Sequence, residues 1–213
     1  MIHNLQIDQV ERLQRHGHVG GVLWFTGLSR SGKSTLSSAL ARALFDRGFA
    51  VAILDGDQMR KGLCADLGFS AEDRSENLRR LGHVAKLLSG LGVLCITATI
   101  SPLRKDRYAV RSFMEPGEFH EVYINADLNT CENRDPKGLY KRARAGEIPN
   151  FTGVGAPYEP PLTPELVVDS LGSGVDSCME TLIDYCLRVF VPSGCATPAM
   201  GAAAVHGIPA ERR

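Results

Sequence analysis

Residues 27–35 read Gly27-Leu28-Ser29-Arg30-Ser31-Gly32-Lys33-Ser34-Thr35, which has the spacing G-x-x-x-x-G-K-S. They follow an apolar run at residues 22–26 and open a helical pattern, which is the setting of a phosphate-binding loop. In such a loop the backbone N–H groups face an anion, Lys33 reaches the outer phosphates and Ser34 ligates Mg²⁺. An ordinary Gly/Ser-rich turn is the alternative. The full pattern in this setting favours a nucleoside triphosphate bound by residues 27–35.

Strand and helix patterns alternate along the rest of the chain. Apolar runs predict strands at residues 22–26, 50–54, 93–100, 119–125 and 166–169. Helical patterns cover residues 33–47, 75–91, 105–114, 128–145 and 174–191. This alternation predicts an α/β fold of three layers, with a parallel sheet covered by helices on both faces. Ligands in such folds bind at the carboxyl ends of the strands.

Composition limits the number of domains and the kinds of partner. The chain has 213 residues, of which 44% are hydrophobic, and this suits one domain, predicted over residues 20–191. Residues 1–19 are predicted as an amphipathic N-terminal extension with a helix at 3–16, and residues 192–213 as a disordered tail. Lys plus Arg and Asp plus Glu number 24 each, so no global field draws the protein to nucleic acid or a membrane.

Targeting signals and cysteine spacing indicate the compartment. No segment has the pattern of a signal peptide or a bilayer-spanning helix, which predicts a cytoplasmic protein. The six cysteines lack the spacing of a zinc site, and we expect free thiols in a reducing compartment.

Two carboxylates, Asp55 and Asp57, stand at the end of the second predicted strand, where the backbone leaves the sheet beside the phosphate loop. Phosphoryl transfer needs a carboxylate that holds Mg²⁺ or orients the attacking hydroxyl. We therefore predict Asp55 as a catalytic residue, and as a metal ligand together with Ser34. A solvated turn that caps a helix is the alternative.

Residues further along the chain indicate a second anion site. Arg60 closely follows the two carboxylates, and the spacing of Arg74 and Asn77 places them on one helical face. Guanidinium groups bind phosphate or sulfate oxygens through paired hydrogen bonds. Most helical arginines, however, simply face water, which leaves that alternative open.

Two other features suit a closed nucleotide site. The basic stretch at residues 134–144 suits a lid that closes over phosphates, although a solvated helix of mixed charge is the alternative. Phe69 and Phe151 lie in glycine-containing loops, where an aromatic ring stacks on a purine or joins the core.

Together these motifs resemble the adenylylsulfate kinase family from about residue 20 to residue 169. Trp24-Phe25-Thr26 leads into the phosphate loop as it does in that family. The other matching motifs are Leu54-Asp55-Gly56-Asp57 with Arg60, Asp66-Leu67-Gly68-Phe69-Ser70 with Asp73-Arg74 and Glu76-Asn77, Ile100-Ser101-Pro102, Cys131-Glu132 with Arg134-Asp135-Pro136-Lys137-Gly138-Leu139-Tyr140, and Phe151-Thr152-Gly153 with Tyr158-Glu159. A generic phosphate-loop protein would share only the first motif.

The resemblance implies a P-loop kinase fold with a mobile lid, and an enzyme that uses MgATP to phosphorylate the 3′-hydroxyl of adenosine 5′-phosphosulfate (APS). It implies that Asp55 activates the hydroxyl and organises Mg²⁺, while Lys33 binds the phosphates. The implied substrate contacts are Arg60, Arg74, Asn77, Ile100 and Ser101 at the phosphosulfate, Phe69 and Phe151 at the adenine, and Lys137 and Leu139 in the lid. A homodimer is also implied, and association with sulfate adenylyltransferase is left open.

The resemblance further implies a phosphoserine intermediate at Ser101. Direct in-line transfer is the alternative, because it needs only positioning and charge neutralisation.

The phosphate loop departs from the family pattern at Arg30, where Gly or Ala is usual. A positive φ would strain an arginine by about 1 kcal/mol, so we expect its side chain to point to solvent instead. The departure leaves open a catalytically weakened regulatory subunit of a sulfate-activating complex. Another P-loop small-molecule kinase of the same fold is a separate alternative, against which Arg60, Arg74 and Asn77 argue.

Overall fold

The computed structural model of the chain describes residues 7–172 and 174–193. In chain order the elements are α1 (Gln9–His16), β1 (Gly21–Thr26), α2 (Lys33–Phe45), β2 (Val51–Asp55), α3 (Gly56–Met59), α4 (Ala71–Gly90), β3 (Leu94–Ala98), α5 (Arg104–Arg111), β4 (Phe119–Asn125), α6 (Leu128–Asn133), α7 (Leu139–Arg144), β5 (Leu166–Asp169) and α8 (Val175–Phe190).

The five strands form one parallel sheet in the order β2-β3-β1-β4-β5. β1 lies in the centre, paired with β3 on one side and β4 on the other. The phosphate loop, which follows β1, therefore leaves from the middle of the carboxyl edge of the sheet, where ligands bind in such folds.

Side chains of β1 show why both faces of the sheet are covered. Leu23 and Phe25 pack against α2 and α8, whereas Val22 and Trp24 pack against α4 and α5. All four side chains are fully buried. A strand buried on both faces reads as a continuous apolar run, which explains why β1 is recognisable in the sequence. The predicted three-layer α/β fold is confirmed.

The predicted helix at residues 128–145 is wrong, because the chain forms two short helices there, α6 and α7. Pro136 has no backbone N–H to donate, and Gly138 adopts a φ of 63° that ends helical geometry. The Asp135 carboxylate accepts a hydrogen bond from the backbone N–H of Tyr140 at 2.7 Å, which closes the turn between the two helices.

Two other differences arise from helix capping. α4 begins four residues earlier than predicted because Ser70 accepts a hydrogen bond from the Asp73 N–H at 3.0 Å. The short helix α3 was not predicted, and it forms because Asp55 caps it. The remaining predicted elements of the sheet and its helices agree with the structure to within three residues at each end.

In the N-terminal extension, α1 starts at Gln9 rather than at residue 3. Asp8 and Glu11 form a capping box, in which each side chain accepts a hydrogen bond from the backbone N–H of the other, at 2.8 and 2.9 Å. Residues 1–6 of the extension and 194–213 of the predicted tail lie outside the described residues. Within the part of the chain that the structure describes, no helix has the length and apolar character to cross a membrane.

Candidate active site

The phosphate loop turns tightly between β1 and α2. The Ser31 N–H donates to the Leu28 carbonyl at 3.2 Å. A Cβ at Gly27 would lie 2.7 Å from the Ile124 carbonyl oxygen, and Gly32 has a φ of 104°, so both positions need glycine. α2 then begins without a side-chain cap and without an acidic residue in its first turn. Its first N–H groups and its positive dipole end therefore face the position of an anion.

Lys33 lies folded back into this loop. Its Nζ donates hydrogen bonds to the carbonyl oxygens of Gly27 at 2.9 Å and Leu28 at 2.6 Å, and the side chain is buried. Burial lowers the pKa of Lys33 to about 8, and the nearby charge of Arg30 contributes to the lowering. A bound phosphate would favour the charged ammonium, so anion binding and protonation of Lys33 are linked.

Asp55 has two roles in the structure, one for each carboxylate oxygen. Oδ1 accepts hydrogen bonds from the N–H groups of Asp57 at 3.0 Å and Gln58 at 3.2 Å, which caps α3. Oδ2 accepts a hydrogen bond from the hydroxyl of Ser34 at 3.0 Å. The helix cap predicted from the sequence as the alternative role of Asp55 is therefore present. It orients Oδ2 of the carboxylate toward Ser34 of the phosphate loop.

Ser34 and Asp55 fit a magnesium ion. Mg²⁺ prefers hard oxygen ligands and, in phosphoryl-transfer sites, takes only one or two from the protein besides phosphate oxygens. The hydroxyl and the carboxylate supply two such oxygens side by side at the N-terminus of α2.

A cavity of about 930 Å³ at the carboxyl edge of the sheet brings together nearly all of the predicted site residues. The exceptions are Gly27 and Leu28, whose carbonyl oxygens accept hydrogen bonds from Lys33. The predicted residues that line it are Ser29, Arg30, Ser31, Gly32, Lys33, Ser34, Thr35, Asp55, Arg60, Phe69, Arg74, Asn77, Ile100, Ser101, Lys137, Leu139 and Phe151. Its lining is strongly basic although the whole chain carries no net charge. Such a cavity suits ligands with several negative charges.

Arg60 and Arg74 both line this cavity, and both guanidinium groups donate hydrogen bonds to uncharged oxygens of the protein. Arg60 donates to the carbonyl of Gly68 at 2.7 Å, and its guanidinium lies 4.4 Å from the centre of the Phe69 ring. Arg74 donates to the Thr152 hydroxyl and the Asn150 carbonyl, both at 2.7 Å. Burial, together with the charge of Arg60, lowers the pKa of Arg74. Both guanidiniums bind neutral oxygens and face the same cavity, so an anion there would relieve their mutual repulsion.

Asn77 and the two phenylalanines also line the cavity. The Asn77 side chain is buried, and its Oδ1 has no hydrogen-bond partner among the described residues. Phe69 is 64% exposed, which is unusual for a large aromatic ring and leaves a face open for stacking. Phe151 packs edge-on against Tyr140 with ring centres 5.0 Å apart.

Ser101 is buried in the loop that follows β3 and has a φ of 38°. Its hydroxyl accepts a hydrogen bond from the indole N–H of Trp24 at 3.2 Å, and its carbonyl accepts one from Arg107 at 2.6 Å. These contacts fix the backbone of Ser101 beside the cavity that it lines.

The expectation that Arg30 points to solvent is wrong. Its φ is 64°, and its side chain is only 26% exposed. The Nε atom faces the Asp135 carboxylate, with 3.6 Å between Nε and Oδ1. The strained backbone of Arg30 thus directs its side chain toward the negative charge of Asp135. The local sequence around Arg30 does not reveal this partner.

Ser170, Thr152 and Arg134 are among the cavity residues that were missed as site residues. Ser170, which directly follows β5, donates through its hydroxyl to the Ser31 carbonyl at 3.0 Å and accepts a hydrogen bond at its own carbonyl from Arg134 at 2.6 Å. Thr152 is the partner of Arg74. Arg134 and Thr152 stand in motifs quoted above, and the rule that ligands lie at strand ends points to Ser170.

Comparison with known proteins agrees with this geometry. A family model described as adenylylsulphate kinase matches residues 19–169. The chain belongs to the adenylylsulfate kinase family.

Among its relatives, the adenylyl-sulfate kinase of Bacillus pumilus is 54% identical over 183 residues, which is 86% of this chain and 93% of the relative. A solved adenylylsulfate kinase of Mycobacterium tuberculosis, in complex with AMPPNP and APS, is 46% identical with a TM-score of 0.74, covering 78% of this chain and 96% of that one. A hexameric APS kinase from Thiobacillus denitrificans is 32% identical with a TM-score of 0.61, covering 84% of this chain and 31% of that one.

Proposed function

We propose that this protein transfers the terminal phosphate of ATP to the 3′-hydroxyl of APS, giving 3′-phosphoadenylylsulfate and ADP. The observation that carries the proposal is one basic cavity that is lined by the phosphate loop, by Asp55 beside the loop, and by Arg60, Arg74 and Asn77. Membership in the adenylylsulfate kinase family supports the same reaction.

On this proposal the phosphate loop binds ATP. The N–H groups at the start of α2 and the Lys33 ammonium neutralise the phosphate charge, which requires Lys33 to leave its carbonyl partners. Ser34 and Asp55 would hold Mg²⁺, which when bound supplies charge neutralisation at the phosphates.

The acceptor, APS, binds in the part of the cavity that Arg60 and Arg74 line. Arg60 and Arg74 receive the phosphosulfate group. The Oδ1 of Asn77, which has no hydrogen-bond partner among the described residues, supplies an acceptor for a ligand donor. Phe69 and Phe151 stack on the adenine, while Lys137 and Leu139 belong to a lid that lies over the phosphates.

Asp55 acts as general base in direct in-line transfer. The Asp55 carboxylate accepts the proton of the 3′-hydroxyl as the oxygen of that hydroxyl bonds to the γ-phosphorus, and the bond from this phosphorus to the β-γ bridging oxygen breaks to release ADP. Ser101 serves as a backbone element and not as a phosphate carrier, because its hydroxyl is buried and bonded to Trp24.

We also propose a homodimer in the cytoplasm. A reducing compartment accords with the described cysteines, which are all buried and free. Size-exclusion chromatography with light scattering tests the dimer, and a hexamer of the kind known from Thiobacillus denitrificans would contradict it. Co-purification with sulfate adenylyltransferase tests that further partner.

Turnover of purified protein with MgATP and APS tests the reaction, followed by ADP release and by separation of the phosphorylated product. Adenosine 5′-monophosphate, which lacks the sulfate, serves as the matched acceptor control and should be a poor substrate. Tight AMPPNP binding without turnover of APS would instead favour a regulatory subunit. Turnover of an unrelated alcohol in preference to APS would favour another small-molecule kinase.

A further inference from the structure

Arg30 occupies a position of the phosphate loop where an arginine is costly. Its φ of 64° places it in the left-handed region, which disfavours an L-residue by about 1 kcal/mol. Such strain persists only where surrounding contacts compensate for it. The contacts of the Arg30 side chain should therefore show what it does.

The compensating contact is with Asp135, in the turn between α6 and α7. Arg30 Nε and Asp135 Oδ1 lie 3.6 Å apart, and the Asp135 side chain is 3% exposed. Both atoms are buried, and neither has a hydrogen-bond partner within the described part of the chain. The buried Asp135 charge therefore depends on Arg30, since an unpaired charge in such a place is strongly disfavoured.

A second contact joins the same two segments. The hydroxyl of Tyr140 donates to the Ser29 carbonyl at 2.9 Å, and its backbone N–H donates to the Asp135 carboxylate at 2.7 Å. The turn at residues 135–140 is thus attached to two consecutive residues of the phosphate loop. Lys137, between the attached ends, lines the cavity.

We propose that Arg30 is a positioning residue that clamps the turn at residues 135–140 to the phosphate loop. The clamp holds Lys137 beside the phosphate position before nucleotide binds, which raises nucleotide affinity and slows nucleotide release. The inference rests on the nucleotide binding contained in the proposed function. The competing possibility is that Arg30 contacts the phosphates directly, which would leave the buried Asp135 carboxylate without its ion pair to Arg30.

A double-mutant cycle tests the clamp. The variants are Arg30→Gln, Asp135→Asn and the combination, and the measurements are the Kd of AMPPNP with Mg²⁺ by calorimetry and the release rate of a fluorescent ADP analogue. We expect each single variant to raise the Kd and the release rate about three- to tenfold, and the double variant to be no worse than the weaker-binding single variant. Additive effects, or unchanged binding in Arg30→Gln, would overturn the proposal.

Three further variants keep the test decisive. Arg30→Lys keeps the charge and should recover part of the affinity lost in Arg30→Gln. This comparison does not need Asp135→Asn, so it tests the clamp even if that variant fails to fold. Arg30→Gly removes the strain together with the clamp, and tighter AMPPNP binding than in the parent protein would overturn the proposal. Arg42→Gln removes an exposed ion pair with Asp46 on α2 and serves as the matched control, with unchanged binding.

Direct contact with the phosphates predicts a different pattern. Asp135→Asn would then release Arg30 toward the nucleotide and tighten AMPPNP binding, which would also overturn the clamp. Binding of AMPPNP is measured without APS, so loss of coupling in an enzyme that turns over APS contradicts the clamp alone. Coupling in a protein that does not turn over APS contradicts the proposed function alone.

Discussion

Nucleotide affinity should depend on pH through Lys33. Its pKa is lowered to about 8 in the free protein, chiefly by burial, and a bound triphosphate favours the charged ammonium. At pH 7 about nine-tenths of the molecules carry the proton, and at pH 9 about one-tenth do, from that pKa. If ATP binds only the protonated form, the Kd rises about tenfold between pH 7 and pH 9, which is about 1.4 kcal/mol.

The measurement is a calorimetric titration of AMPPNP with Mg²⁺ from pH 6.5 to 9.5 at constant ionic strength. Lys33→Arg is the control, because a guanidinium stays charged over this range and should give a flat profile whatever its absolute affinity. The described cysteines do not interfere, since burial raises the pKa of each. Burial also lowers the pKa of His18 and His120, which moves their titration away from this range.

A flat profile in the parent protein between pH 7 and pH 9, or the same slope in Lys33→Arg, would refute this reasoning. Arg30→Gln provides an internal check. Because the charge of Arg30 contributes to the lowered pKa of Lys33, its removal should move the onset of the affinity loss to higher pH.

Asp55→Asn should lower kcat by about 10²- to 10⁴-fold while the Kd of AMPPNP changes much less, because asparagine still caps α3 but is no longer a base. An increase in the KM for ATP alone would remove Asp55 from catalysis. Ser101→Ala should keep turnover within about tenfold, while urea denaturation shows a loss of about 1–3 kcal/mol from the buried Trp24 N–H that is left unpaired. Complete loss of turnover in a folded Ser101→Ala protein would support a phosphoserine intermediate. Arg107→Met should lower the free energy of unfolding by about 3–5 kcal/mol, since Glu121 would lose its principal partner in a buried ion pair, and an unchanged urea midpoint would contradict this.

Much of the candidate site could be predicted because its residues stand in short patterns next to strand ends. The loop from Gly27 to Lys33 and the carboxylate of Asp55 both follow apolar runs, and parallel strands place such segments at one edge of the sheet. The helix break at Pro136 and Gly138 has a local cause that the sequence also displays, because proline lacks a backbone N–H and glycine permits a positive φ.

The contacts that hold the site together were not predictable in the same way. The bonds from Trp24 to Ser101, from Arg74 to Asn150 and from Ser170 to Ser31 join residues that are 77, 76 and 139 positions apart. Such pairs depend on the strand order and on how the loops pack at the carboxyl edge. No local propensity reports either quantity.

Arg30 shows where the two kinds of information divide. The sequence by itself determined that a phosphate loop follows a buried strand and that Arg30 stands within it, because glycine spacing and apolar periodicity express local backbone requirements. The direction of its side chain was decided only by the tertiary structure. A left-handed backbone at φ 64° is tolerated there because the fold places the buried carboxylate of Asp135, from a turn distant in the chain, within 3.6 Å of the guanidinium.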